Sequence, residues 1–511
     1  MNRASVYVGL LACAGAALAL RLPGLADRPM HTDEAVHAVR FAEFWQTGRY
    51  QYDPHDYHGP TLYYVTFPFV WLSGAGNFAD TSEVVYRLAP VCFGVGLILL
   101  LALLVQGLGI TAVLSAAVLT AVSPALVYYS RYYIQETLLV CFTLPALGAG
   151  WRLLSTGRTV WAVMFGVAGG LMHATKETCL LVWAAAACAA VLTALWERGR
   201  RLPSWRALLV ALVVGGLVST ACFSVGFTNW SGVRDAWLAP WHYLERAQSG
   251  LHIHAWYYYL SLLSWSHFSG APTWTHGFIL ALAAVGMVAG VRRKLPAPLD
   301  SRLVRFLALY TVALGVAYSS IPYKTPWCVL GFLHGLILLA GVGAAVLWNA
   351  VRGRSLRVPL LVVGLAGVGH LAWQARLATS AYAARPENPL AYAHPVPDVV
   401  ELGSWAERLA SAHPDGPRML TKVVMPHSWP LPWYLRRLER VGYWEAPPED
   451  ADAPLVIAGT DLLPEVQKRW RGEYQVFYYG VRAHETVAAC VATPVYEAFR
   501  ERMTPTRAAS P

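Results

Sequence analysis

Apolar runs separated by short polar connections dominate the chain, at residues 4–22, 85–106, 110–129, 134–154, 159–174, 178–196, 206–227, 273–291, 303–320, 327–348 and 357–377. Runs of this length read as bilayer-crossing helices, so the pattern predicts about eleven of them. One further apolar stretch, TLYYVTFPFVWLSG from Thr61, is short, aromatic and interrupted by Pro68. It is expected to lie in the interface or to re-enter it rather than to span. Two long polar stretches, 23–84 and 228–272, join spans; the second contains LHIHAWYYYLSLLSWSHF and reads as an amphipathic hairpin at the membrane surface.

After residue 378 the pattern changes. Strand-like runs MLTKVVM, PLVIAGT and YQVFYYGV alternate with helical stretches. Residues 379–502 are expected to form a small soluble α/β or α+β domain. Residues 503–511 read as a disordered tail. The predicted fold class is therefore an all-α polytopic membrane domain over 1–378 followed by this soluble domain.

Loop charge orients the helices. With the N-terminus inside, one set of connections carries Arg152 and Arg158, ERGRRLPSWR, RRK at 292–294 and VRGRSLR. The other set, SRYYIQE, MHATKET, 228–272 and SSIPYKTPW, is polar, aromatic and poor in Arg. The positive-inside rule then puts the N-terminus in the cytoplasm and the C-terminal domain outside a plasma (inner) membrane. Counting Thr61–Gly74 as a span would invert every later loop.

Composition agrees: the chain is 56% hydrophobic and only 14% charged, with 21 Trp, where soluble domains are about a quarter charged. The net charge of +10 sits in short interhelical runs rather than in a basic patch, which argues for topology signals and against nucleic acid. The eight Cys show no CxxC pair, so neither a disulfide framework nor a cysteine metal site is expected. The first apolar run reads as a retained signal anchor.

Chemistry concentrates in RPMHTDEAVHAVRFAEFWQTGRYQYDPHDYHGP, from Arg28. Asp33 and Glu34 stand side by side close to the expected membrane surface, where carboxylates are costly. Thr32 as N-cap with acids in the first turn would account for them structurally. A base for a hydroxyl acceptor needs the same partly desolvated carboxylate, and His37, one turn on, is placed to tune it. Asp53, His55, Asp56 and His58 could ligate a metal, but their spacing matches no standard closed site, and a solvated turn ended by Gly59 and Pro60 is the plainer reading. In SRYYIQE, Arg131 and Gln135 would share a helical face, with Glu136 beside them. Tyr128, Tyr129, Tyr132 and Tyr133, in and just before it, fit an interfacial belt, and Arg131 fits a grip on phosphate. Only five Lys occur, yet Lys176 and Lys324 both fall at outer helix ends, where positive charge is disfavoured. Together with Arg131 they suggest an anionic ligand such as a lipid phosphate, although Glu177 could pair Lys176.

These motifs resemble the integral-membrane glycosyltransferases of the C-type fold (GT-C), which include protein O-mannosyltransferases and the aminoarabinose transferase of lipid A. HTDEAVHA after the first span, YHGP before a short aromatic helix, SRYYIQE and PYKTPW fall in the superfamily's order over residues 1–377. With ATKE, NPLAYAHP and WPLPWYLR, the combination looks closest to the flippase-activity-associated subgroup. The resemblance implies Asp33 as catalytic base or acceptor-orienting carboxylate, with Glu34 shaping the site, and Arg131, Lys324 and Lys176 on the phosphate of a polyprenyl-phosphate-linked sugar donor. His37, His55, His58, Gln135, Glu136 and Tyr323 would support the acceptor side. Glu136 departs from the Asp that related proteins often carry. The implied reaction transfers the sugar to a hydroxyl on protein, lipid or glycan, with no cofactor required and no transition metal implied. A translocase of lipid-linked sugars, or an accessory factor to one, is the alternative.

Overall fold

The computed structural model describes residues 3–53, 58–197, 203–246, 252–292 and 295–503. His55, Asp56 and the tail 504–511 lie outside them. The helices are α1 (Arg3–Arg21), α2 (Thr32–Thr47), α3 (Thr61–Tyr64), α4 (Phe67–Ser73), α5 (Glu83–Leu100), α6 (Val105–Val122), α7 (Pro124–Tyr129), α8 (Glu136–Thr156) and α9 (Thr159–His173). They continue with α10 (Cys179–Trp196), α11 (Trp205–Phe223), α12 (Trp230–Arg246), α13 (Tyr258–Ser264), α14 (Gly277–Val291), α15 (Ser301–Ser320), α16 (Leu330–Ala350), α17 (Arg354–Thr379) and α18 (Asp398–Ala412).

Eight helical stretches among the described residues are long and apolar enough to cross a membrane; one, Glu83–Val122, contains both α5 and α6, and α9 and α14 are shorter apolar helices. The chain is a multi-pass membrane protein. A 3-10 turn at Leu101–Leu104 separates α5 from α6, and α6 is itself kinked at Gly109, where φ is 74° and ψ 167°, a conformation open essentially to glycine alone. The stretch from Thr61 forms two helices of 4 and 7 residues, too short to span. The run 110–129 is not one helix: it stops at Ser123, and Pro124 starts α7 because proline has no N–H for the preceding turn. Residues 130–135 are a turn, and α8 begins only at Glu136.

The end of α8, the residue after α10 and the start of α15 meet. There Arg305 pairs with Glu197, and Trp151 Nε1 donates to Asp300 at 3.3 Å. The C-terminal domain contains a five-stranded sheet ordered β2-β1-β3-β5-β4, from β1 (Thr421–Val424), β2 (Val441–Trp444), β3 (Leu455–Gly459), β4 (Tyr474–Arg482) and β5 (Glu485–Ala492). β1 pairs in parallel with β2 and β3, while β5 runs antiparallel between β3 and β4. In α18, Val399, Leu402, Trp405, Ala406 and Leu409 recur at helical spacing and are buried, with Trp405 against Phe477 and Tyr479 of β4.

The sheet domain is seated on the first loop. Trp433, fully buried, donates its indole N–H to Glu83 at 2.9 Å and meets Tyr86 edge-on; the Tyr434 hydroxyl accepts the Met30 N–H at 2.8 Å. Arg482 donates to Thr32 Oγ1 at 3.2 Å. Residues 380–397 are held against the helices, since the hydroxyls of Tyr128 and Tyr129 donate to the carbonyls of Ala383 and Leu390 at 2.6 and 2.7 Å.

Candidate active site

The site grows from the start of α2. Its N-cap is His31, not the expected Thr32: His31 Nδ1 accepts the Asp33 N–H at 3.1 Å, and Glu34 accepts the His31 N–H at 2.9 Å. This is a capping box with imidazole in the place of a hydroxyl. Thr32 is instead engaged by Arg482.

The two adjacent acids have opposite surroundings. The Asp33 side chain is 43% exposed, with Oδ1 4.0 Å from His31 Nδ1. Glu34 is 0% exposed; Arg28 donates to both its oxygens at 2.8 and 3.0 Å, and Arg87 to both at 2.9 Å. The Tyr133 N–H adds a bond at 3.0 Å. Burial alone would raise the Glu34 carboxyl, but the two guanidiniums hold it well below the ordinary carboxylate range. Six donors leave Glu34 no face toward a ligand, and its carboxylate ties the start of α2 to α5 and to Arg28.

Arg28 and Arg87 are residues that the sequence pattern did not single out. Arg87 also donates to the carbonyls of Leu25, Arg28 and Pro29 at 2.8–3.0 Å, tying the chain before α2 to α5. Arg28 lies 3.7 Å above the Tyr132 ring, donates to the Arg131 carbonyl at 2.8 Å and to His394 Nε2 at 2.8 Å. His394 belongs to NPLAYAHP, the one motif that could have signalled this contact.

SRYYIQE departs from its expected helical reading. Because 130–135 is a turn, Arg131 and Gln135 do not share a helix face; Arg131 donates to the Gly24 carbonyl at 2.6 Å, and Gln135 is wholly buried with neither amide atom hydrogen-bonded. Tyr128, Tyr129, Tyr132 and Tyr133 are core residues at most 1% exposed, not an interfacial belt. Glu136 pairs with Lys176, so the partner of that lysine is not the neighbouring Glu177.

The motifs YHGP and ATKE interlock. Thr61 N–H donates to the Ala174 carbonyl at 3.2 Å, and the Thr61 and Thr175 hydroxyls are 2.8 Å apart. A Cβ on Gly59 would come within 2.2 Å of the Ala174 carbonyl oxygen, which is why glycine occupies the turn. Glu177 accepts from the Tyr52 hydroxyl at 2.7 Å and lies 2.8 Å from His58 Nδ1. His37 does not bond Asp33; its Nδ1 is 2.9 Å from the Tyr63 hydroxyl. Burial, with His58 beside it, pulls His37 down to about 3. His58 thus faces Glu177, whereas Asp53 lines a separate polar cleft of about 960 Å3 with Arg40, Glu43 and Asp235. Among the described residues no three His, Cys, Asp or Glu gather around a possible metal position.

Lys324 completes the site from PYKTPW. Its ammonium donates to the carbonyls of His254 and Ile321 at 3.0 and 2.5 Å. Tyr323 is half-buried and meets the His252 ring edge-on at 5.2 Å. Among the described ion pairs Lys324 and Arg131 have no carboxylate, in contrast to Lys176, Arg28 and Arg87.

Residues 14–231 match the family model described as dolichyl-phosphate-mannose-protein mannosyltransferase. No curated protein sequence matches the chain. Among solved structures, ArnT from Cupriavidus metallidurans bound to undecaprenyl phosphate is similar with a TM-score of 0.64 at 16% identity, over 94% of this chain and 98% of that one. The Archaeoglobus fulgidus oligosaccharyltransferase in the apo form gives 0.60 at 12% identity, over 97% and 77%. The arabinofuranosyltransferase AftD from Mycobacteria gives 0.52 at 15%, over 96% of this chain and 40% of that one. The chain therefore has the GT-C fold of these structures, and within it residues 14–231 are similar to the dolichyl-phosphate-mannose-protein mannosyltransferase family model.

Proposed function

We propose that the protein transfers a sugar from a polyprenyl-phosphate donor to a hydroxyl acceptor on the outer face of the plasma (inner) membrane. The observation that carries this reading is the contrast at the start of α2. Glu34 is consumed by two arginines, while its neighbour Asp33 keeps an accessible carboxylate in a polar site.

Asp33 takes the proton of the acceptor hydroxyl, whose oxygen attacks the anomeric carbon as the bond from that carbon to the phosphate oxygen breaks. The electron pair leaves with the polyprenyl phosphate. Lys324 and Arg131, which have no carboxylate partner among the described ion pairs, stabilise the negative charge that builds there. Lys176 is spent on Glu136 and supports the site rather than binding the donor. The Arg-rich connections in the sequence support an external site, a cytoplasmic N-terminus and an extracytoplasmic sheet domain. The motifs ATKE, NPLAYAHP and WPLPWYLR support placement with the flippase-activity-associated proteins. No nucleotide is needed, because the lipid brings the sugar.

The test is transfer of labelled sugar from polyprenyl phosphate in reconstituted vesicles, comparing wild type with Asp33→Asn. Loss of about a hundredfold or more, the usual size of a base contribution, with unchanged thermal unfolding and lipid binding is expected. Transfer by Asp33→Asn at the wild-type rate would remove Asp33 from the reaction. Lipid scrambling without transfer by the wild type would favour a translocase.

A further inference from the structure

The reaction outlined above makes no use of the segment NPLAYAHP, between α17 and α18, yet one of its residues touches both halves of the site. Tyr392 accepts from His31 Nε2 through its backbone carbonyl at 3.2 Å. That bond places the His31 proton on Nε2 and leaves Nδ1 free to accept the Asp33 N–H, as its capping role requires. The Tyr392 hydroxyl lies 2.6 Å from His252 Nδ1 and 3.3 Å from His254 Nε2, so it can donate to one ring and accept from the other.

The backbone of these two histidines pairs with the segment that carries Lys324. His254 N–H donates to the Pro322 carbonyl at 3.1 Å, Lys324 N–H to the His252 carbonyl at 3.0 Å, and the Lys324 ammonium to the His254 carbonyl at 3.0 Å. His252 has a φ of 52°, the left-handed region that a residue other than glycine keeps only when its surroundings over-determine it. The Tyr392 hydroxyl is one of those constraints, and edge contact with the Tyr323 ring is another.

We propose that Tyr392 is a positioning residue that fixes the Lys324 ammonium relative to the Asp33 carboxylate, through His252 and His254 on one side and His31 on the other. This rests on the roles given to Asp33 and Lys324 above. Tyr392 touches neither reacting group, and its two halves act separately: the carbonyl serves the Asp33 cap, and the hydroxyl serves the lysine. Removing the hydroxyl alone therefore loosens 252–254 and leaves the start of α2 capped.

The experiment is binding of sugar-free polyprenyl phosphate to the full-length protein in lipid nanodiscs, for wild type, Tyr392→Phe, Lys324→Met and the double variant. Loss of one net hydrogen bond corresponds to about a three- to tenfold change, so Tyr392→Phe is expected to weaken binding by that factor with an unchanged unfolding midpoint. In the Lys324→Met background the same change is expected to have no further effect, because the lysine through which it acts is gone. Unchanged binding by Tyr392→Phe, or equal weakening in both backgrounds, would overturn the proposal. Binding is read without transfer, so a wild type that binds the lipid but moves no sugar would overturn the transferase reading and leave this one tested.

Discussion

Replacing Glu34 by Gln would leave Arg28 and Arg87, both at most 5% exposed, facing one another without a counter-charge. Breaking a buried pair in this way costs about 3–5 kcal/mol, so Glu34→Gln is expected to lower the unfolding midpoint in detergent sharply, whereas Asp33→Asn leaves it unchanged. Equal midpoints for the two variants would contradict the division of labour between these neighbours. The acidic pair stood out in the sequence because carboxylates close to an apolar run are rare. Its division did not, because Arg87 lies 53 residues away inside an apolar helix and pairs with Glu34 only in the folded chain. Tyr128 and Tyr129, just before SRYYIQE, misled for a related reason. A ring with a polar tip suits an interfacial belt and a buried carbonyl alike, and the carbonyls of Ala383 and Leu390 are more than 250 positions away along the chain.

At the scale of elements, the hydrophobic runs foretold most spans, and the misses have local causes. The break near 107–109 fell between two apolar runs, 85–106 and 110–129. The structure shows why Gly109 is needed: a Cβ there would stand 2.5 Å from Pro298 Cγ as well as adopt a positive φ. Gly109→Ala is expected to cost about 1–3 kcal/mol by thermal unfolding, an effect that a wild-type midpoint would refute. The stop at Ser123 was written in Pro124, but the apolar residues on either side concealed it. In the sheet, β1, β3 and β4 were legible from β-branched and aromatic runs. β2, four residues long, and β5, whose ETVAACVA is rich in small residues, lack that signature and are identified by their neighbours.

For the molecule as a whole, a seam joins the helical part, the first loop and the segment before the sheet domain, and it is lined by neutral imidazoles. His31 and His394 are buried there and, like His37, have pKa values below the ordinary histidine value, burial being the main cause. The sign follows from His37, at about 3: between that value and about 6.5 the unfolded chain binds a proton that the folded chain refuses. Stability from this group is therefore complete above pH 6.5 and falls by up to about 1.4 kcal/mol per unit below it. Unfolding midpoints measured from pH 7.5 to 5 are expected to drop, and His37→Gln to flatten the slope; a wild-type midpoint independent of pH would refute this.

The contacts of Arg482, Trp433 and Tyr434 with Thr32, Glu83 and Met30 also bear on inheritance. A sheet domain that grips the residues flanking the acidic pair cannot be traded between relatives as an independent cassette. Recombination that exchanged it would have to carry the matching stretch from Met30 to Glu83 in the same event, so two distant parts of the coding sequence are bound to change together.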